Sequence, residues 1–274
     1  MIESDNLFDA TLEVEKLLRT RTHRIHTEKW QGFDIKDRPE AGMHEITDLF
    51  IKADLGGIED INQYAKILLP NLPWADEHFY ERIGGLPLNP GETWKNWPWA
   101  LKADHSRIFG GKFSHTYMER YWPRYTGTAV NLGVTSDMQG HRFRYGDLED
   151  VIQLLVREPL TRQAYLPIFF PEDTGAVHGN RVPCTLGYHW IVRDGKINTF
   201  YPIRSCDYYR HFRDDIYLTI RLTLWLLERL REVGGDYWRS VGIGSYSMWI
   251  GSLHMFRNDY IKLFGSDHET SHKR

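Results

Sequence analysis

The chain has 274 residues, 41% of them apolar and 26% charged, with a formal net charge of −3. That length suits one large domain or two small ones, with enough apolar content to bury a sizeable core. The negative balance argues against a general nucleic-acid binder, which needs a basic surface to displace counterions.

The two cysteines, Cys184 and Cys206, are too few for a disulfide framework. Residues 1–20 mix acidic, basic and apolar types without the apolar core of a signal peptide. No stretch approaches ~18 consecutive apolar residues, so no membrane-spanning helix is expected. A cytoplasmic, reducing setting follows as an expectation, and it keeps a thiol available for chemistry. The 10 Trp and 15 Tyr serve packing first. Flat surfaces for stacking heterocyclic rings are the sharper reading.

In chain order, residues 9–20 predict a short helix, with Leu12, Val14, Leu17 and Leu18 near helical spacing. Residues 21–42 are rich in His, Arg, Lys and Asp and read as irregular or partly extended. Helices are predicted at 58–69 and 74–83, the second stopped by Gly84-Gly85. A Pro- and Gly-rich loop follows, then Trp94, Trp97 and Trp99 around Pro98; so many indoles must pack inward or line a pocket. A helix capped by Asp147 is predicted over 146–157, and a strand over 164–170.

Residues 184–192 alternate, with Cys184, Leu186, Tyr188, Trp190 and Val192 on one face. The Asp194-Gly195 turn pairs this strand with 197–204. Residues 215–232 carry a wide apolar stripe of Ile216, Ile220, Leu224 and Leu227, broadened by Leu218, Leu222 and Trp225, which predicts a largely buried helix. A last strand is predicted over 243–256. The expected fold is a single α+β domain over residues 1–274, built on a large mixed or antiparallel sheet with one long buried helix.

The hairpin brings a thiol, a guanidinium, a hydroxyl and a carboxylate to matching ends of two strands: Cys184 faces Arg204, Ser205 and Asp207. A lone cysteine is most often a small core residue. Nearby cations at Arg204 and Arg162 would instead lower its pKa and populate the nucleophilic thiolate. Cys206 reads as structural.

Pro183-Cys184, the Asp194-Gly195-Lys196 turn and Arg204-Ser205-Cys206-Asp207 resemble, in order and spacing, the thymidylate synthase and deoxycytidylate hydroxymethylase superfamily. The resemblance covers about 113–260 and is weak before Tyr117. It implies a thymidylate synthase-like fold, a homodimer with shared active sites, and 5,10-methylenetetrahydrofolate as cosubstrate without a metal. By the same resemblance Cys184 is the nucleophile that adds to C6 of a pyrimidine nucleotide. Arg204 and Ser205 bind its phosphate, and Arg162 reaches the partner subunit's phosphate. Gln163 stands where a second arginine is usual. Asp207 contacts the pterin and nucleotide, Trp97 lies at the folate, and Tyr117 lies near the reacting carbons. His254 bonds the sugar hydroxyl, although its usual tyrosine companion is Phe256. Glu81 matches a water-ordering glutamate or is an ordinary helix-end acid. Thr185 follows the cysteine where thymidylate synthases have His. Only a short tail follows His254, so hydride transfer under a closing tail is not expected.

Asp215 falls where thymidylate synthases place an Asn on the base. An amide matches the N3–H and O4 of uracil. A carboxyl suits cytosine, accepting from the C4 amine and supporting a proton on N3. An Asp here resembles the deoxycytidylate hydroxymethylases. The bland reading is an acid at a helix N-terminus, and Asp214 is the fallback if the register slips by one. The expected activity is dCMP 5-hydroxymethylation. The alternatives are a dCMP methylase, a dUMP-using enzyme, a non-catalytic nucleotide binder, and a cysteine hydrolase with His189 or His254 as base.

Overall fold

The computed structural model describes residues 1–30, 33–100, 111–123, 146–174 and 181–265. The expected core at 124–145 and 175–180, and the tail at 266–274, lie outside them. Among the described residues a mixed seven-stranded sheet is accompanied by eight helices. The sheet runs β1 (Ile2–Ser4), β5 (Met43–Asp54), β9 (Gly242–Phe256), β8 (Lys196–Asp207), β7 (Gly187–Arg193), β6 (Tyr165–Pro167), with β2 (His23–Ile25) also paired to β5. Pairs β1–β5 and β8–β9 are parallel; the others are antiparallel. The two short strands β3 (Lys29–Trp30) and β4 (Phe33–Asp34) pair with each other, apart from this sheet. The helices are α1 (Leu7–Thr20), α2 (Ile61–Leu68), α3 (Trp74–Ile83), α4 (Tyr117–Tyr121), α5 (Leu148–Arg157), α6 (Phe212–Val233), α7 (Asp236–Arg239) and α8 (Arg257–Phe264).

The β7–β8 hairpin forms where expected because Asp194 and Gly195 both take positive φ, 51° and 68°. That backbone twist matches the twist of the flanking strands. Helix α6 buries Ile216, Leu218, Ile220, Leu222, Leu224 and Leu227 against the sheet. Each full burial of such a side chain is worth about 1.5–3 kcal/mol. Trp190 of β7 donates its indole N–H to Thr223 of α6, and Thr199 of β8 bonds the same hydroxyl. These polar ties fix the rotation of α6 on the sheet, and so fix where its N-terminal Asp214-Asp215 pair lies.

Three local expectations change. The strand expected from Cys184 begins at Gly187, and before it only an isolated bridge joins Thr185 to Ile203. Cys184 and Leu186 are both half-buried and flank the fully buried Thr185, so they share a face, but that face does not continue to the buried Tyr188, Trp190 and Val192. The strand expected over 164–170 shrinks to Tyr165–Pro167, because Pro167 lacks an N–H and the N–H groups of Ile168 and Phe169 both turn to the Leu186 carbonyl. Strand β5 arises in a stretch to which no element was assigned; its Leu49, Ile51 and Ala53 alternate inward.

One row of the sheet, Asp48, Gly251 and Arg204, falls in gaps of the strand pairing on both sides of β9. Asp48 of β5 has φ of 55°, and Gly251 of β9 lies so close to Arg204 of β8 that a Cβ there would sit 2.7 Å from the Arg204 carbonyl oxygen. Only glycine tolerates that approach. The alternation of β8 stops just before this row, at Tyr201, Pro202 and Ile203, which are all buried. Arg204 and Ser205 are both half-buried, and Cys206 and Asp207 are both buried.

Candidate active site

Past this row, the end of β8, the N-terminus of α6, the end of α3, the start of α4 and the 90–99 loop enclose a cavity of about 620 Å³. That volume lies in the range of small-ligand sites. Cys184, Asp215, Tyr117, Arg204, Ser205, His254, Asp207 and Trp97 all line it.

Arg204 locks the loop that carries the thiol. Its Nε donates to the Pro183 carbonyl (2.9 Å), one Nη to the Val182 carbonyl (3.0 Å), and the same Nη lies 3.9 Å from Cys184 Sγ. Its backbone N–H donates to the Cys184 carbonyl at 2.9 Å. The cations were expected to lower the thiol pKa. Burial instead pushes Cys184 up, against the opposing pull of Arg204 and Arg181. The thiol is therefore held neutral until something adds positive charge or removes negative charge nearby.

Asp214 and Asp215 are separated by their partners. The Asp214 carboxylate accepts from the Asn71 backbone N–H (2.8 Å) and side-chain amide (2.7 Å), pinning the turn before α3. Asp215 keeps part of its surface open to the cavity and accepts from Cys206 Sγ at 3.6 Å. Burial pushes the Asp215 carboxyl up to about 7, with Arg82 pulling the other way and Asp214 adding to the rise. A carboxyl poised there can both hold and release a proton near neutrality. Cys206 is thus a buried neighbour of Asp215.

Tyr117 opens α4, whose N-cap is Thr116. Its hydroxyl meets Thr185 Oγ1 at 2.9 Å, and Thr185 Oγ1 meets the buried Tyr201 hydroxyl at 2.8 Å. The Trp loop lines the cavity as anticipated: Trp97 stacks on His211 with centroids 4.7 Å apart, and Trp94 and Trp99 join it. Burial holds the His211 imidazole down to about 4, so it is neutral at physiological pH. Asp207 reaches the cavity, but its oxygens already accept from the Tyr209 and Arg210 backbone N–H groups and from Arg210 Nη1 at 2.6 Å. His254, 8% exposed, lies opposite Asp207 in the β8–β9 register.

One assignment is corrected, and one residue lies away from the cavity of this chain. Glu81 does not line the cavity. Its carboxylate accepts from Thr93 Oγ1 (2.6 Å) and the Glu92 N–H (2.6 Å), tying α3 to the loop that follows. Burial alone would raise its pKa, but these bonds and His78 bring it down to about 2. Arg162 lies in the loop before the edge strand β6. It is exposed, and only its carbonyl is engaged, by His189 Nε2 at 3.0 Å. Neither it nor Glu81 touches the cavity of this chain.

Arg82, Arg181 and His211 line the cavity without having been anticipated. Arg181 was within reach of the sequence, three residues before Cys184 in the same motif. Arg82 sits beside Glu81, and only the rotation of α3 decides which of the two faces inward. Among the described residues no group of three or more His, Cys, Asp or Glu side chains is placed to hold a metal ion, and no helix is long and apolar enough to cross a membrane. No protein-family model matches the chain, and no curated protein matches it.

Proposed function

We propose that this chain is a thymidylate synthase-like enzyme that hydroxymethylates C5 of dCMP with 5,10-methylenetetrahydrofolate. The observation that carries this reading is the meeting of a thiol and a carboxyl poised near neutrality, Cys184 and Asp215, in one aromatic-walled cavity. The guanidinium groups of Arg204 and Arg181 and the Ser205 hydroxyl lie at the thiol end, suited to a phosphomonoester dianion. A bound dianion brings negative charge, so the arginines are what keep thiolate formation within reach.

Each residue then has a chemical task. Cys184 adds to C6 of cytosine. Asp215 accepts from the C4 amine and supplies the proton that N3 takes up as charge develops there. Tyr117, with the Thr185 and Tyr201 hydroxyls behind it, lies beside the thiol loop, where a proton leaves C5. His254 stands at the sugar. The fit to a folate rests on the opposite wall. Trp74, Trp97 and Trp99 offer flat faces, and the buried indole N–H groups of Trp74 and Trp99 make no hydrogen bond within the protein. An acceptor-rich heterocycle answers both features. When bound, the folate supplies a methylene group at the oxidation level of formaldehyde.

A homodimer belongs to the same reading. The sheet face away from α6 leaves Phe50, Phe200 and Trp249 half-buried, with Phe50 and Phe200 stacked at 6.2 Å. A second copy on that face would also give the exposed Arg162 a place to act. Mass spectrometry of dCMP and dUMP after incubation with methylenetetrahydrofolate tests the function. A CH₂O increment on dCMP alone is the expected result. A methyl increment would make the enzyme a methylase, activity on dUMP would reassign the base, and no change in either would leave a nucleotide-binding module.

A further inference from the structure

On α3, Glu81 and Arg82 are adjacent and so point about 100° apart. Glu81 turns to Thr93 and Glu92, and Arg82 turns into the cavity. The Arg82 side chain is the least expected group in the site. The residue is 6% exposed, and its Nε is buried without a hydrogen-bond partner. Its guanidinium carbon lies 4.1 Å above the ring of Tyr117, whose hydroxyl bonds Thr185, the residue after Cys184. Among the described residues no carboxylate lies within ion-pair distance of it. The backbone that carries it is anchored, since Trp122 donates its indole N–H to the Arg82 carbonyl at 2.8 Å. A buried guanidinium with an unused donor and no close counter-ion is costly unless charge arrives to meet it.

We infer that Arg82 is the electrostatic stabiliser of the anion formed on the pyrimidine ring when Cys184 adds to it. This rests on the pyrimidine reading above and extends it to a residue which that reading did not require. The step balances as follows. The Cys184 proton leaves to water in the cavity, and the thiolate pair forms the S–C6 bond. The π pair of C5=C6 moves into the C4–N3 system, and N3 takes the Asp215 proton. Negative charge thus passes from sulfur through the ring to the Asp215 carboxylate. Arg82 lines the cavity over the Tyr117 ring, and it is the main charge opposing the burial of the Asp215 carboxyl. A fixed cation in a dry site favours the charged adduct far more than the neutral ground state. When the adduct reverses in heavy water, C5 first gains a deuteron and then loses its proton. The S–C6 pair returns to sulfur, leaving C5-deuterated nucleotide with no folate consumed.

That exchange supplies the test. Deuterium incorporation at C5 of dCMP is followed by NMR in the absence of folate, and dCMP affinity is measured by calorimetry. Arg82→Met is expected to slow exchange about 100-fold or more, while dCMP affinity changes by less than about tenfold. Arg82→Lys is expected to recover at least tenfold of that loss, because it returns the charge without the planar fork. Exchange in Arg82→Met within threefold of wild type, at unchanged affinity, overturns the assignment. So does a folded Arg82→Lys that is no better than Arg82→Met. If Arg82→Met does not fold by circular dichroism, Arg82→Lys decides alone: exchange within about tenfold of wild type supports the charge role, and its loss with binding intact overturns it. The underlying reading fails separately, if wild type exchanges neither dCMP nor dUMP or if Cys184→Ala exchanges like wild type.

Discussion

The hairpin wall of the cavity takes its groups from one run of chain, Cys184 to Asp215, held by backbone pairing of β8 to β7 and β9 and by α6. The opposite wall takes Trp74, Arg82, Trp97, Trp99 and Tyr117 from α3, a loop and α4. These are held mostly by side-chain bonds: Glu81 to Thr93, Asn71 to Asp214, and Asn89 to the Phe113 backbone N–H at 2.8 Å. A wall built on a sheet holds its groups rigidly enough for covalent chemistry. A wall of two helix ends and a loop, tied by a few polar contacts, suits a second, larger substrate that enters and leaves.

Removing the proposed nucleophile should have the largest effect. Cys184→Ala is expected to lower turnover by roughly 10⁴-fold or more, with nucleotide binding retained, as measured by product formation and calorimetry. Next comes the support of the hairpin wall. Trp190→Ala removes a fully buried indole and its bond to Thr223, and should cost about 3–5 kcal/mol in denaturant unfolding. Trp97→Ala, on the opposite wall and only half-buried, should cost far less stability, yet weaken folate binding at least about tenfold. Equal stability losses at the two positions would erase the contrast between the walls.

Asp215→Asn is expected to shift preference from dCMP toward dUMP by about 100-fold in kcat/KM, since each base then meets the wrong or right donor pattern. The same substitution has a stability signature. The folded-state pKa of about 7 lies above the unfolded value near 4, so the folded protein binds the extra proton between them. Stability from this group falls as pH rises from about 4 to about 7. Asp215→Asn should therefore melt above wild type at pH 8, with the gap closing toward pH 4.

Glu81 gives the smallest effect and the opposite sign. Its pKa of about 2 lies below the unfolded carboxylate value, so its contribution is present above about pH 4 and is lost as pH falls toward 2. Glu81→Gln should cost about 1 kcal/mol at pH 7, and the difference should vanish near pH 2. Turnover within a few-fold of wild type would accord with its place outside the cavity. A large loss of turnover at unchanged stability would return Glu81 to the chemistry.

The hairpin wall was legible because its signals are local. A positive-φ Asp-Gly turn sets the register, period-two alternation sets the buried face, and a wide apolar stripe sets the depth of α6. The opposite wall was only half legible. The Trp cluster announced that it must be covered or line a cavity, but Glu81 and Arg82 are neighbours of similar helix propensity, and nothing local distinguishes which one turns inward. The positive φ of Asp48 and the close approach of Gly251 to Arg204 were not legible, because they belong to a row that joins three separate strands.

By itself the sequence determined the elements that carry the hairpin side of the candidate site, because a short motif and backbone periodicity act over a few residues at a time. It also put Asp215 one residue from Asp214 at the head of a buried helix. Tertiary structure alone decided that Asn71 engages Asp214 and leaves Asp215 at the cavity. It also decided that burial outweighs the arginines at Cys184, and that Arg82 takes the inward place beside Glu81. Those outcomes depend on desolvation and on partners more than a hundred residues away, and neither is written in any local stretch of chain.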